Sequence, residues 1–319
     1  MRPSNPTFSV VVPAYNAADT IESALQSVLA QTRDDFEIVV VDDGSSDDTA
    51  SVVHSLDDGR ITLVTQENGG TAVALNTAIA ESRGALISIL GADDLFLPTY
   101  LEVMGRTLAD APNAGFAYCD AWMFDRRLHK VSRATASALQ RPPIPTPPDS
   151  AAFLRELLRR NFVFGLATVR RSALDAIGGF RPHLRNCQDY EIWLRLVANG
   201  FLGVPAPGLL AVYRRMPGTK TISVSARLVD SATARREVYR IVADEYDIPD
   251  ALRDLARSRM QEVEQEIERV RGSQARRRLV PARLRRLGGR AYRRVRQRNM
   301  WYPTAPAEFR AAFPNLRDL

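Results

Sequence analysis

Lysine is nearly missing from this chain: Lys130 and Lys220 are its only two lysines, and arginine supplies the rest of 43 basic side chains. That scarcity is compatible with genomic base composition and is assigned no function. Cysteine and histidine are equally thin. Cys119 and Cys187 stand far apart, without the paired spacing of a zinc site or the number a disulfide framework needs, so a reducing compartment is expected. His54, His129 and His183 are scattered without partner ligands and read as surface or packed residues. No run approaches the roughly 20 apolar residues of a spanning helix. Met1–Pro6 also lacks the apolar core of a signal peptide. The expectation is a cytoplasmic protein, soluble or held peripherally on the inner face of the cytoplasmic membrane.

Acid is missing from one long stretch. Residues 269–298 hold 13 arginines and neither Asp nor Glu, which leaves 30 basic against 37 acidic residues elsewhere. The net charge of +6 therefore belongs to the tail.

What remains is the composition of a folded protein: 319 residues, 45% hydrophobic, enough for one large domain and an appendage, or for two domains. Through the first 110 residues short β-branched runs alternate with helical periodicity, which predicts a doubly wound α/β sheet. Strands are predicted at 8–12, 36–41, 61–65 and 86–90. Helices are predicted at 20–30, 48–56, from about 72 to 79, and after Pro98. Beyond this the pattern changes. Residues 114–124 read as a strand with 129–133 pairing to it, 150–160 as a helix, 171–177 as a short helix broken by Gly178-Gly179, and 189–199 as a helix with Ile192, Trp193, Leu196 and Val197 on one face. The prolines of 141–148 exclude helix and central strand, leaving a stiff surface connection or a loop bordering a cleft. From Ala226 the chain is helical. Leu252, Ala256, Met260, Val263, Ile267 and Val270 are spaced for a helical hairpin or a homodimer seam. Domains of 1–225 and 226–319 follow.

Chemistry concentrates where strands end. Phe36–Val41 runs into Asp42-Asp43-Gly44-Ser45, and Ala85–Leu90 into Gly91-Ala92-Asp93-Asp94. Ligands of open α/β sheets bind outside the carboxyl ends of such strands, so these acids should meet in one crevice. Each has a plainer reading as well. Asp42 and Asp43 suit a turn anchor or helix cap before Gly44, and Asp93-Asp94 a cap for the helix after Pro98. Asp189 suits the N-cap of its own helix.

Taken in order, Val11-Val12-Pro13-Ala14-Tyr15-Asn16, Val41-Asp42-Asp43-Gly44-Ser45, Gly91-Ala92-Asp93-Asp94 and Gln188-Asp189-Tyr190-Glu191 resemble the inverting family 2 glycosyltransferases across about residues 7 to 215. The resemblance implies a GT-A fold, that is, a Rossmann-like α/β architecture with a mostly parallel twisted sheet flanked by helices, here with a C-terminal helical extension. It implies a nucleotide-sugar donor of UDP or dTDP type and a glycan or lipid-linked acceptor. Pro13, Ala14 and Tyr15 would pack on the nucleoside, and Asp43 would accept from a uracil-type N–H, for which an acceptor-only carboxylate is suited. Asn68, Gly69 and Asp93 would complete the nucleotide site, with Gly69 offering backbone N–H groups at a helix start. Asp94 would hold Mg²⁺ or Mn²⁺, which need only one or two carboxylates besides phosphate oxygens and water. Asp189 would be the general base, a role worth about 10²–10⁴-fold. Gly179, Phe180, Gln188 and Trp193 would border the acceptor.

Three departures from the family pattern matter. Gln188 replaces a common Glu, which removes a like charge beside Asp189 and should lower its pKa relative to a Glu-Asp pair. Leu75 stands where relatives often carry Arg. No histidine follows Tyr213-Arg214-Arg215, so Arg214, Arg215 or Lys220 would have to neutralise the diphosphate. The alternative function is a non-catalytic nucleotide-sugar-binding or scaffold protein. Retention of Asp43, Asp94 and Asp189 argues against it.

In the tail, Leu284, Leu287, Ala291 and Val295 lie at helical spacing among arginines. Segment 276–298 reads either as an anchor on anionic lipid or as a solvated tail. With no nucleic-acid fold beside it, nucleic acid is not an expected partner.

Overall fold

A computed structural model describes residues 5–125, 130–134, 149–163, 165–215 and 224–279. The first half forms as its runs dictate. β1 (Phe8–Ala14) lies between β2 (Phe36–Asp42) and β4 (Leu86–Ile89), parallel to both, and β3 (Ile61–Thr65) adds in parallel to β2. Every residue of β2 and β4 is buried. Strands of this kind need cover on both faces, which crossover helices supply. α1 (Ile21–Leu29) buries Ile21, Ala24, Leu25 and Val28, the i, i+3, i+4, i+7 stripe of an amphipathic helix. α2 (Thr49–Ser55) and α3 (Thr71–Glu81) make the other two crossings.

Past β4 the sheet becomes mixed. β5 (Leu95–Phe96), α4 (Tyr100–Asp110), β6 (Ala114–Asp125), β7 (Lys130–Ala134), α5 (Ser150–Arg159), β8 (Ala167–Arg170), α6 (Arg171–Ile177), α7 (Gln188–Ala198) and β9 (Leu202–Arg215) follow. The sheet order is β3-β2-β1-β4-β8-β6-β9-β5, with β7 antiparallel on β6 as expected for 129–133. β8 runs antiparallel to both β4 and β6. The sheet is thus parallel through β1 to β4 and in the β6–β9 pair and antiparallel at β8, β7 and β5.

β9 and β5 had no sequence prediction. Pro205, Pro207 and Gly208 interrupt the β9 pattern. The pairing absorbs them through register shifts between Tyr118 and Ala121, since a proline is tolerated where a ladder is already irregular.

Two helices close the described chain, α8 (Val224–Glu245) and α9 (Asp250–Leu279), packed on each other, with α9 also against α5 and α8 against α7. Leu252, Ala256, Val263 and Ile267 are buried in one core with Val238, Ile241 and Val242 of α8 and with Tyr190, Trp193 and Leu194 of α7. The part of the stripe from Leu252 to Ile267 is therefore packed within the chain, as a helical hairpin would have it. Arg235–Glu266 at 2.9 Å and Arg236–Glu264 at 3.2 Å tie the two helices at their edge. The Pro-rich 141–148 segment lies outside the described residues, as does the tail from 280. Of the basic segment, only the backbone of 276–279 is described, in α9.

Candidate functional site

A cavity of about 260 Å³ opens at the carboxyl ends of β1 and β4. Pro13 comes from β1, Thr71 and Leu75 from the start of α3, Ile89, Gly91 and Asp94 from β4 and the turn after it. Gly165 and Leu166 precede β8, Phe180 follows α6, and Asn186, Cys187, Gln188, Asp189 and Trp193 belong to the start of α7 and its approach. Of the sequence-predicted residues, Pro13, Asp94, Phe180, Gln188, Asp189 and Trp193 meet here. Tyr15 stands apart, 55% exposed, while Ala14 is buried and accepts the Asp43 N–H at 2.8 Å through its carbonyl.

Asp94 is buried where the β4 chain turns. Its Oδ1 accepts the Arg214 N–H at 2.9 Å. A Cβ on Gly91 would lie 3.0 Å from Asp94 Oδ2 and 3.1 Å from Asp93 Oδ1, so the two carboxylates converge over a glycine that leaves the space open. Burial raises the Asp94 pKa well above the ordinary range, and the Asp93 charge adds to it. The helix after Pro98 takes Thr99 as its N-cap, so the acid pair does not cap it. No group of three or more His, Cys, Asp or Glu side chains suited to a metal occurs among the described residues.

Arg214 is not a free cation for a diphosphate, as the sequence had suggested. The residue is 2% exposed, and its guanidinium donates to the Asp93 carbonyl, to Ser23 Oγ at 2.6 Å and to the Thr20 carbonyl at 3.1 Å. A buried guanidinium must spend its donors on internal acceptors, and Arg214 thereby ties β9 to α1 and the acid turn. The Arg215 side chain and Lys220 lie outside the described residues.

The Asn68-Gly69-Gly70 element also differs from expectation. Gly69 N–H donates to Asp43 Oδ1 and Gly70 N–H to Asp43 Oδ2, each at 2.8 Å, and Gln66 Nε2 donates to Oδ1 at 2.7 Å. The donors expected for an anion are thus taken by Asp43, which closes the orphan N–H groups at the start of α3. Asn68 Nδ2 donates to the Asp43 carbonyl at 3.0 Å. Asp42 is the turn anchor, accepting the Ser45 N–H at 3.0 Å.

Asp189 stands in the first turn of α7, where the helix dipole favours a carboxylate. The N-cap is Cys187, in the left-handed region at φ 59°, so Asp189 does not cap its helix. Burial raises the Asp189 pKa, opposed by the N–H groups of Tyr190 and of Asp189 itself. The Cys187 thiol is pushed up to about 11 by burial and by the Asp189 charge, and the buried Cys119 thiol up to about 12. Both are free thiols. Gly165 faces Asp189, whose Oδ2 lies 3.7 Å from where a Cβ on the glycine would stand.

Two polar atoms of this wall, Gln188 Oε1 and Trp193 Nε1, are buried without a hydrogen-bond partner among the described residues. Such groups are rare and call for an explanation. The Trp193 ring is fixed by stacking on Phe116, with centroids 5.1 Å apart. Asn76 sets the neighbouring loop: Oδ1 accepts the Phe180 N–H and Nδ2 donates to the Phe180 carbonyl, both at 2.8 Å. Gly179 does not line the cavity. A Cβ there would lie 2.7 Å from Asn76 Oδ1, which explains the glycine.

Two residues past Asp189 lies a buried ionic knot. Glu191 is fully buried and accepts from Arg181 Nε at 2.7 Å, Arg195 Nε at 2.9 Å and the Tyr246 hydroxyl at 2.8 Å. Arg195 also donates to the carbonyls of Ile177 and Gly179. The knot joins α7 to the glycine turn and to the end of α8. Sequence reasoning passed over Asn76, Glu191 and Tyr246, although Glu191 and Arg195 at i, i+4 were visible as a helical ion pair.

A family model described as glycosyl transferase family 2 matches residues 9–178. The chain belongs to that family. Among the relatives, the succinoglycan biosynthesis protein ExoU of Rhizobium meliloti (strain 1021) is 34% identical over 234 residues, 69% of this chain and 65% of that protein. The teichuronic acid biosynthesis glycosyltransferase TuaG of Bacillus subtilis (strain 168), itself a putative assignment, is 30% identical over 218 residues, 66% of this chain and 79% of TuaG. Two solved structures share the GT-A-type fold, each with a TM-score of 0.60. S. aureus TarS 1-349 in complex with UDP-GlcNAc is 18% identical, covering 78% of this chain and 69% of that one. The mannosyltransferase PcManGT from Pyrobaculum calidifontis in complex with GDP-Man and Mn²⁺ is 22% identical, covering 88% and 78%. At these identities the likeness concerns the fold alone.

Proposed function

We propose that this chain is an inverting glycosyltransferase of polysaccharide biosynthesis, moving a sugar from a UDP- or dTDP-sugar to a hydroxyl of a glycan or lipid-linked acceptor. The observation that carries the reading is that Asp94, from the end of β4, and Asp189, from the start of α7, line one cavity at the carboxyl edge of the sheet. The names of the relatives, succinoglycan and teichuronic acid biosynthesis, support a polysaccharide product, and the nucleotide sugars held by the two structural neighbours support the donor class.

In this reading Asp189 takes the proton of the acceptor hydroxyl while that oxygen attacks the anomeric carbon from the face opposite the nucleotide. The new C–O bond forms as the bond to the phosphate oxygen breaks, and the nucleoside diphosphate leaves. Burial suits Asp189 to this by raising its proton affinity, and α7 fixes its direction. Gln188 Oε1 and Trp193 Nε1 find partners in sugar hydroxyls. Asp43, with three donors on its carboxylate, keeps acceptor capacity for a uracil N–H.

Asp93 and Asp94, whose carboxylate oxygens both approach the open side of Gly91, would be the residues to hold a small divalent cation, which needs only one or two carboxylates besides phosphate oxygens and water. Such an ion would supply Lewis-acid stabilisation of the departing nucleotide. Segment 276–298 would add attachment to anionic lipid. Liposome flotation with and without 271–319 tests that attachment, and equal flotation contradicts it.

A thermal-shift screen of nucleotide sugars with Mn²⁺, followed by NMR of the product from the stabilising donor, tests the function. A ligand bound only by the folded protein must raise its apparent stability. Stabilisation by a UDP- or dTDP-sugar and a product of inverted anomeric configuration are expected. A retained configuration contradicts the mechanism.

A further inference from the structure

The cavity presents Asp94 and Asp189, with Asp93 and Asp43 near its edge, and no basic side chain lines it among the described residues. A diphosphate brought here adds further negative charge, and one divalent ion offsets only part of it. Arg214, the guanidinium next to the acid turn, is spent on Ser23, Thr20 and the Asp93 carbonyl. Among the described residues, the balancing charge is to be sought in a cation that is near the cavity and not already engaged.

Arg185 meets both conditions. It is exposed and makes no hydrogen bond or ion pair among the described residues. It directly precedes Asn186, a wall residue, and its Nη1 lies 3.6 Å from where a Cβ on Gly70 would stand. Gly70 in turn precedes Thr71, another wall residue, and its φ of +89° favours glycine, which keeps this space open. The guanidinium thus reaches from the approach to α7 to Gly70 at the start of α3, the residue whose N–H serves the Asp43 carboxylate.

We propose that Arg185 is the guanidinium that binds the diphosphate of the nucleotide donor at the mouth of this cavity. This rests on the reading of the chain as a nucleotide-sugar transferase. A planar guanidinium fork matches phosphate oxygens in a way a lysine ammonium does not. Placement beside Gly70, whose N–H holds Asp43 on the side assigned to the nucleoside, favours the donor's diphosphate over that of a lipid-linked acceptor.

Calorimetric titration of the full chain in Mg²⁺ tests it, with UDP, GDP, uridine and farnesyl diphosphate as probes. The parent should bind UDP more tightly than uridine. Arg185→Ala should weaken UDP about 10- to 100-fold, the worth of a charge-assisted hydrogen bond, and leave uridine unchanged. Arg185→Lys should recover part of the loss. An Ala variant that binds UDP within about twofold of the parent overturns the proposal, as does equal weakening of UDP and uridine. Loss confined to farnesyl diphosphate also overturns it, because the diphosphate would then be the acceptor's. A parent that binds neither UDP nor GDP removes the donor reading and this assignment with it, whereas the other failures leave the donor reading intact. The side chain is exposed, so the melting temperature of both variants should match the parent.

Discussion

Removing the Glu191 carboxylate should cost the protein about 3–5 kcal/mol, the range for breaking one side of a buried ion pair. Glu191 is wholly buried, and Arg195, itself 9% exposed, depends on it. In Glu191→Ala the Arg195 guanidinium keeps only the Ile177 and Gly179 carbonyls. Arg181 can turn to solvent, because its side chain is 26% exposed and it also pairs with Glu245 at 2.9 Å. The penalty therefore falls mainly on Arg195. Tyr246→Phe removes one neutral donor from a carboxylate that retains two guanidinium partners, so its cost should sit near about 1.5 kcal/mol, the low end for hydrogen bonds to charged groups. Urea unfolding of parent, both single variants and the double variant measures each cost and their coupling. An unchanged denaturant slope would show that the compared states have stayed the same. Glu191 lies two residues from Asp189 on α7, so sugar transfer should fall along with stability. A loss below about 1 kcal/mol for Glu191→Ala, the worth of an ordinary surface pair, would refute the reasoning.

Glu37 should give stability a recognisable acid dependence. Burial raises its pKa, but the Arg83 N–H and guanidinium and the Ser9 hydroxyl outweigh that, and the net value falls below the ordinary 4.5. Its contribution is complete above about pH 4.5 and is lost as pH falls toward the lower folded value. Glu37→Gln should flatten the change in urea midpoint across that window, and an unchanged slope contradicts it. Asp189 has the opposite sign: its folded pKa is raised, so its charge opposes folding as pH rises past the ordinary carboxylate value. Asp189→Asn should melt higher than the parent at neutral pH and equal to it near pH 3; a lower melting temperature at neutral pH contradicts the burial. The acid limb of kcat/KM should likewise lie above the ordinary Asp value of 3.8. Gly91→Ala places a Cβ about 3 Å from both acid oxygens and should weaken the dependence of transfer on Mn²⁺ concentration; if EDTA leaves transfer by the parent unchanged, the Asp94 assignment fails.

The parallel half of the fold was legible because β2 and β4 are continuous apolar runs and α1 keeps a clean stripe, so local sequence and tertiary burial agree. β9 was not, because Pro205, Pro207 and Gly208 hide a strand whose partners, β6 and β5, lie nearly 90 or more residues earlier. Asp94 and Asp189 were legible as acids flanking an element boundary. The fate of Arg214 was not: nothing local to Tyr213-Arg214-Arg215 says that its guanidinium ends on Thr20 and Ser23 of α1. The same holds for Gly69 and Gly70, whose N–H groups meet a carboxylate 26 and 27 residues away. Glu191 resembles any helical ion pair until the fold adds Arg181 and Tyr246 around it.

The proposed role of Asp189 as the base of an inverting transfer is tested by single-turnover rates of Asp189→Asn against the parent, with the stabilising nucleotide sugar and its acceptor. The account predicts a loss of about 10²–10⁴-fold in the chemical step with UDP binding retained. A variant that transfers sugar as fast as the parent would contradict it.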